Sequence, residues 1–160
     1  MKIKVFADTI CGWCYIGHSR LLKVLKSFEK ISFDVEHKPF QLNPDMPKKG
    51  IHRLDYLNSK FGSKEAAKPM YDRMVSEGLN ENLKFNLDII QITPNTRLSH
   101  ILTKLAFTKK IGNQVLSEIY DSYFSKGADI GDADILISIG KSQNIGEKEI
   151  IDSFSSDKEI

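Results

Sequence analysis

At 160 residues the chain has the length of one domain with room for a real core, and its 41% hydrophobic and 28% charged residues are those of an ordinary globular protein. A formal net charge of +2 gives no reason to expect a nucleic-acid or anionic-membrane partner. No apolar run approaches ~18 residues, and Met1-Lys2 leads straight into strand-like residues without the apolar stretch of a signal peptide, so a cytoplasmic protein with no membrane span is expected.

Residues 2–7 read as a short strand rich in β-branched and aromatic side chains. From Tyr15 the apolar residues Leu21, Leu22, Val24, Leu25 and Phe28 recur at helical spacing. Residues 31–37 alternate as a half-buried strand does, with Pro39 closing it or marking an edge. Strand, helix and strand make a βαβ unit with parallel strands and a right-handed crossover. His37 within it reads as a packed or surface histidine. Residues 41–50 hold two prolines and a glycine and form a loop.

Beyond it the pattern turns helical. Leu54, Leu57 and Phe61 mark a short helix stopped by Gly62, and Ala67, Met70, Tyr71, Met74 and Val75 mark another, started or kinked by Pro69 and stopped by Gly78. Residues 79–94 lack clear periodicity. Pro94-Asn95-Thr96 opens a strong helix through Leu98, Ile101, Leu102, Leu105 and Ala106, ending near Gly112. The next helix carries Val115, Leu116, Ile119, Tyr120, Tyr123 and Phe124 and closes at Gly127. Asp132 or Asp134 caps a further one, and a last helical stretch starts at Glu147. The expected organisation is a βαβ portion over 1–45, a helical insertion over 46–146, and a returning helix over 147–160.

The chain has two cysteines, Cys11 and Cys14, at the strand-to-helix junction. Backbone N–H groups and the positive end of the helix dipole stabilise a thiolate there, and the thiolate is the species that attacks a disulfide. A C-x-x-C in that setting favours thioredoxin-like redox chemistry, with Cys11 as nucleophile and Cys14 as resolving thiol. Gly12 and Trp13 support the site, Trp13 as an exposed apolar contact or a shield for the sulfur. Two bland alternatives stand beside this: buried small hydrophobes, or a zinc module using Cys11, Cys14 and His18, for which no further ligand motif is present.

The segment Asp8-Thr-Ile-Cys-Gly-Trp-Cys-Tyr-Ile-Gly17 resembles the active-site signature of the DsbA-like oxidoreductases, specifically the FrnE-type branch. The stretches 38–47, 94–100 and 123–131 resemble the same branch in the same order. The resemblance implies an α/β fold: a thioredoxin-like βαβ unit with a large all-helical insertion. It also implies thiol–disulfide exchange or isomerisation on a disulfide-containing protein or small molecule. No resident cofactor or metal is expected, and glutathione is a candidate redox partner. Family members usually carry proline where this chain has Gly12, and they continue past residue 160 with a cis-proline loop, two strands and a closing helix. A chain truncated at its C-terminus is therefore expected.

A related architecture, the glutathione-dependent isomerases and kappa-type transferases, uses serine in the first-cysteine position. Cys11 with a second thiol at Cys14 argues for redox cycling instead. Asn95 and His100 are candidates for lining a small-molecule pocket, with a helix cap and surface exposure as their plainer roles.

Overall fold

The structure, a computed structural model, describes residues 1–28 and 30–156. Strand β1 (Lys2–Ala7) feeds helix α1 (Gly12–Ser27), which returns through β2 (Asp34–Pro39). The two strands pair in parallel, with Lys2 opposite Asp34 and Ala7 opposite Pro39. Along β1 the side chains alternate: Lys2, Lys4 and Phe6 are exposed, while Ile3, Val5 and Ala7 turn inward. The second strand starts at Asp34 rather than Ile31 because the Ile31 N–H is taken by the Phe28 carbonyl in a turn.

A second sheet of two antiparallel strands, β3 (Ile51–His52) and β4 (Ile92–Thr93), brackets the first part of the helical region. Between them lie α2 (Arg53–Phe61), α3 (Lys64–Asn80) and a short 3-10 turn at Leu87–Ile89. Then follow α4 (Arg97–Thr108), α5 (Gly112–Phe124), α6 (Ala133–Ser142) and α7 (Glu147–Ser156). The last four residues of the expected returning helix, 157–160, lie outside the described residues.

The main core belongs to the helical region. Leu102, Val115, Ile119, Tyr120, Tyr123, Leu136 and Ile150 are all but inaccessible. Tyr15 of α1 reaches into this core, stacking on Tyr120 at 5.0 Å and on Phe124 at 5.8 Å. Helix α1 thus anchors through its first two turns, where Tyr15, Ile16 and His18 are buried. The apolar stripe further along is poorly covered, with Val24 53% and Phe28 47% exposed. Ion pairs from Arg20 to Glu77 and Glu81, and from Lys23 to Glu81, hold the outer face of α1 to α3 and the residue that follows it.

Two details differ from the sequence expectations. Helix α3 passes through Pro69 and through Gly78 to Asn80, and α4 ends at Thr108, short of Gly112. Gly78 and Gly112 are packing glycines: an added Cβ would fall 2.3 Å from the Phe85 ring at the first and 2.3 Å from the Phe107 ring at the second. Of the two expected caps for α6, Asp132 takes the position, its carboxylate accepting the Asp134 N–H.

Gly50 closes the 41–50 loop with φ +68°, and a Cβ there would sit 2.6 Å from the Thr93 carbonyl oxygen. Backbone cannot yield as a side chain can, so Gly50→Ala is expected to cost about 2 kcal/mol or more, adding a clash to left-handed strain. Gly62, φ +86° in open space, carries the strain alone, so Gly62→Ala costs roughly 1 kcal/mol. Urea midpoints of the two variants check the ranking, and equal losses would refute the contact argument.

Candidate active site

The turn from β1 into α1 places Cys11 and Cys14 at the mouth of a helix, 2.8 Å apart and both half-buried as free thiols. Cys11 is the N-cap of α1, in extended conformation, and its Sγ accepts the Cys14 N–H at 3.3 Å. A sulfur therefore fills the position usually taken by a serine or aspartate oxygen, and it faces otherwise unpaired helix N–H groups.

The electrostatics of the pair are asymmetric. The Cys11 thiol is drawn down from an ordinary 9.0 to about 7, chiefly because the Cys14 thiol donates to it. Burial acts against this, the N–H groups of Cys14 and Trp13 act with it, and the charge of Asp8 opposes it. Cys14 is pushed far up by the same shared proton, by burial and by the charge it would share with Cys11. One sulfur carries charge near neutral pH and the other keeps its proton.

Around the pair, Trp13 is 40% exposed beside Cys11. Gly12 is buried against α3 and the segment after it. A Cβ on Gly12 would stand 2.2 Å from Met74 Sδ and 3.3 Å from the Phe85 ring. The helical insertion therefore closes one side of the dithiol, and the residue between the cysteines is limited by that contact.

Asp8 organises the turn. Its carbonyl accepts the Cys11 N–H at 3.1 Å and the Tyr120 hydroxyl at 3.4 Å. Its carboxylate accepts the Leu42 N–H at 2.7 Å and lies 3.3 Å from His100 Nε2. Thr9 shares a hydroxyl hydrogen bond with Ser99 at 2.7 Å, so α4 grips the turn at two adjacent residues. Asp8 stands in the motif segment without a role of its own in the sequence pattern. Its signal was an acid immediately after an apolar strand and three residues before Cys11.

Of the two pocket candidates, Asn95 is engaged by main chain. It donates to the Met46 carbonyl at 2.6 Å and accepts the Arg97 N–H at 2.9 Å, joining the 41–50 loop to the start of α4. His100 is 4% exposed and borders a cavity of about 20 Å³ shared with Thr9, His37, Lys38, Lys104 and Tyr120. His18 is engaged by α5: its Nε2 meets Ser117 Oγ at 2.9 Å. Among the described residues, no three His, Cys, Asp or Glu side chains converge as a metal site.

A family model described as DSBA-like thioredoxin domain matches residues 2–160. The chain belongs to that family. A probable DsbA oxidoreductase from Streptomyces coelicolor superposes on this DSBA-like chain with a TM-score of 0.85 at 23% identity, covering 98% of this chain and 68% of that one. The cytosolic disulfide reductase DsbM from Pseudomonas aeruginosa, solved with GSH, gives 0.68 at 17% identity, covering 98% and 73%. The uncharacterized protein YwbO of Bacillus subtilis (strain 168) is 22% identical over 141 residues, 88% of this chain. The chain spans 65% of the length of that relative. The superpositions show a shared fold: a DsbA-like thioredoxin unit with a helical insertion. No helix among the described residues is long and apolar enough to cross a membrane.

Proposed function

We propose that this protein is a dithiol oxidoreductase of the FrnE-type branch, working in the cytoplasm on protein or small-molecule disulfides. The observation that carries the reading is the asymmetric pair: Cys11 at the helix N-cap with a thiol at about 7, beside a Cys14 that holds its proton. The Cys11 thiolate attacks one sulfur of a substrate disulfide, forms a mixed disulfide and expels the other sulfur as a thiolate that takes a proton from solvent. Cys14 then loses its proton and attacks Cys11 Sγ, expelling the second substrate thiolate. Two electrons pass to the substrate and the Cys11–Cys14 disulfide remains; the same steps in reverse oxidise a dithiol.

The fold shared with a cytosolic disulfide reductase solved with GSH supports glutathione as the redox partner that resets the pair. Trp13, exposed beside Cys11, offers an apolar contact to the substrate chain.

A glutathione redox titration tests the reading, with alkylation and mass spectrometry counting free thiols. The expected result is one reversible two-electron transition that Cys11→Ser or Cys14→Ser abolishes. Thiols that stay free across the whole range would sink it.

A further inference from the structure

The turn that delivers Cys11 holds a buried acid that disulfide exchange does not consume. Asp8 is 1% exposed and its partner His100, from the helical insertion, 4%. Asp8 Oδ2 is satisfied by the Leu42 N–H. Asp8 Oδ1 and His100 Nε2 face each other at 3.3 Å, and neither has a hydrogen-bond partner of its own among the described residues. A buried carboxylate is costly unless paired, and His100 is the cation-capable group placed against it. The same carboxylate acts on the redox pair, since its charge opposes ionisation of both Cys11 and Cys14.

We propose that His100 is a positioning residue for the dithiol, acting through Asp8: its imidazole screens the cysteines from the Asp8 carboxylate and so favours the Cys11 thiolate. Of the groups bordering the His100 cavity, those outside α4 do not supply this screening. Lys104 lies one turn along α4, while His37 and Lys38 of β2 and Tyr120 of α5 border the same cavity. Lys38 is committed to Glu36, and burial keeps His37 neutral near pH 7. Tyr120 bonds the Asp8 carbonyl, not the carboxylate. Asp8 is the anion of the set and His100 the side chain against it. Favouring the thiolate stabilises the reduced pair, so the imidazole also makes the Cys11–Cys14 disulfide a stronger oxidant.

The inference rests on Cys11 being the ionised thiol of the proposed function. Its test is the pH dependence of Cys11 alkylation in Cys14-intact protein, which reads charge without turnover. A chain that shows the coupling but exchanges no disulfides counts against the function and not against this pairing.

The two single variants are expected to move in opposite directions. Asp8→Asn lowers the midpoint by about one pH unit, and His100→Gln raises it by a similar amount, the scale of a neighbouring charge. The double variant falls with Asp8→Asn, because without the carboxylate nothing is left to screen. Single variants that shift the same way, a His100→Gln midpoint that does not move, or a double variant that equals the sum each overturn the proposal.

Should either variant fail to fold, the unsubstituted protein decides by NMR. At fixed pH the His100 ring resonances must differ between the reduced, thiolate-bearing chain and the oxidised one, because the imidazole and the Cys11 charge are coupled through Asp8. Identical ring resonances in the two states overturn the proposal.

Discussion

Cys11→Ser is expected to bring disulfide exchange down to the uncatalysed rate, while Cys14→Ser stalls after one step as a stable mixed disulfide on Cys11. The difference follows from the ionisation of the pair. At pH 7 a thiol of ordinary 9.0 is about 1% ionised and one at about 7 is half ionised, roughly a fifty-fold gain in thiolate. A Brønsted slope of about 0.4–0.5 takes back roughly six- to tenfold in nucleophilicity, leaving a net gain of roughly five- to eightfold in attack. The larger benefit falls in the second step, where a low-pKa Cys11 leaves readily from a mixed disulfide.

Cys14 gains nothing as a first attacker, since its proton is held by Cys11, by burial and by the nearby charge. It becomes a nucleophile once Cys11 is in a disulfide and no longer accepts that proton. Mass spectrometry after incubation with oxidised glutathione checks the assignment. An adduct on Cys14 in the Cys11→Ser protein, or full turnover by the Cys14→Ser protein, would reverse the roles.

What could be read from the chain was local. Strand alternation, the C-x-x-C and the following helical periodicity lie within thirty residues of one another, and the structure builds β1, the N-cap and α1 from them. The glycine punctuation holds at Gly62, the C-cap of α2, and fails at α3 and α4 for a physical reason. Three helices end next to residues in the left-handed conformation that are not glycine: Asn82 at φ 60°, Lys110 at 62° and Asn144 at 62°. The glycines expected to stop α3 and α4 serve close approach to Phe85 and Phe107 instead.

The surroundings of the dithiol were hidden for another reason. Asp8 meets His100, Thr9 meets Ser99, and Gly12 meets Met74 only once the helical insertion has folded back over the turn. No spacing rule connects residues brought together by tertiary packing. His37 read as a packed or surface residue, and the structure buries both of its ring nitrogens without a partner.

That burial carries the second large prediction: the protein loses stability between about pH 6.5 and 4.5, ahead of its carboxylates. His18 and His37 lie edge to face with ring centroids 5.5 Å apart, and His37 stacks on Phe107 at 5.0 Å. Burial lowers His18 from 6.5 to about 4, partly offset by a backbone contact with Asn113. Burial, then the charge of His18, lowers His37 to about 4 as well. Both folded values lie below the unfolded value, so the unfolded chain binds more protons as pH falls. Their stabilising contribution is complete above pH 6.5 and is lost as pH drops towards 4.

For His18, 4% exposed, the loss is on the order of 3 kcal/mol, a large share of the stability of an ordinary domain. The two do not simply add, because each charge raises the cost of the other. Carboxylates held low by surface ion pairs, such as Glu36 at about 2, release their contribution only at lower pH and leave this window to the histidines. His37→Phe separates the contributions. Phenylalanine keeps the stack on Phe107 and removes two unpartnered nitrogens, so stability at pH 7 is retained or raised while the acid loss shrinks. Urea midpoints across the pH range check both halves of the claim. A His37→Phe profile parallel to that of the unsubstituted protein would place the acid sensitivity outside this histidine pair.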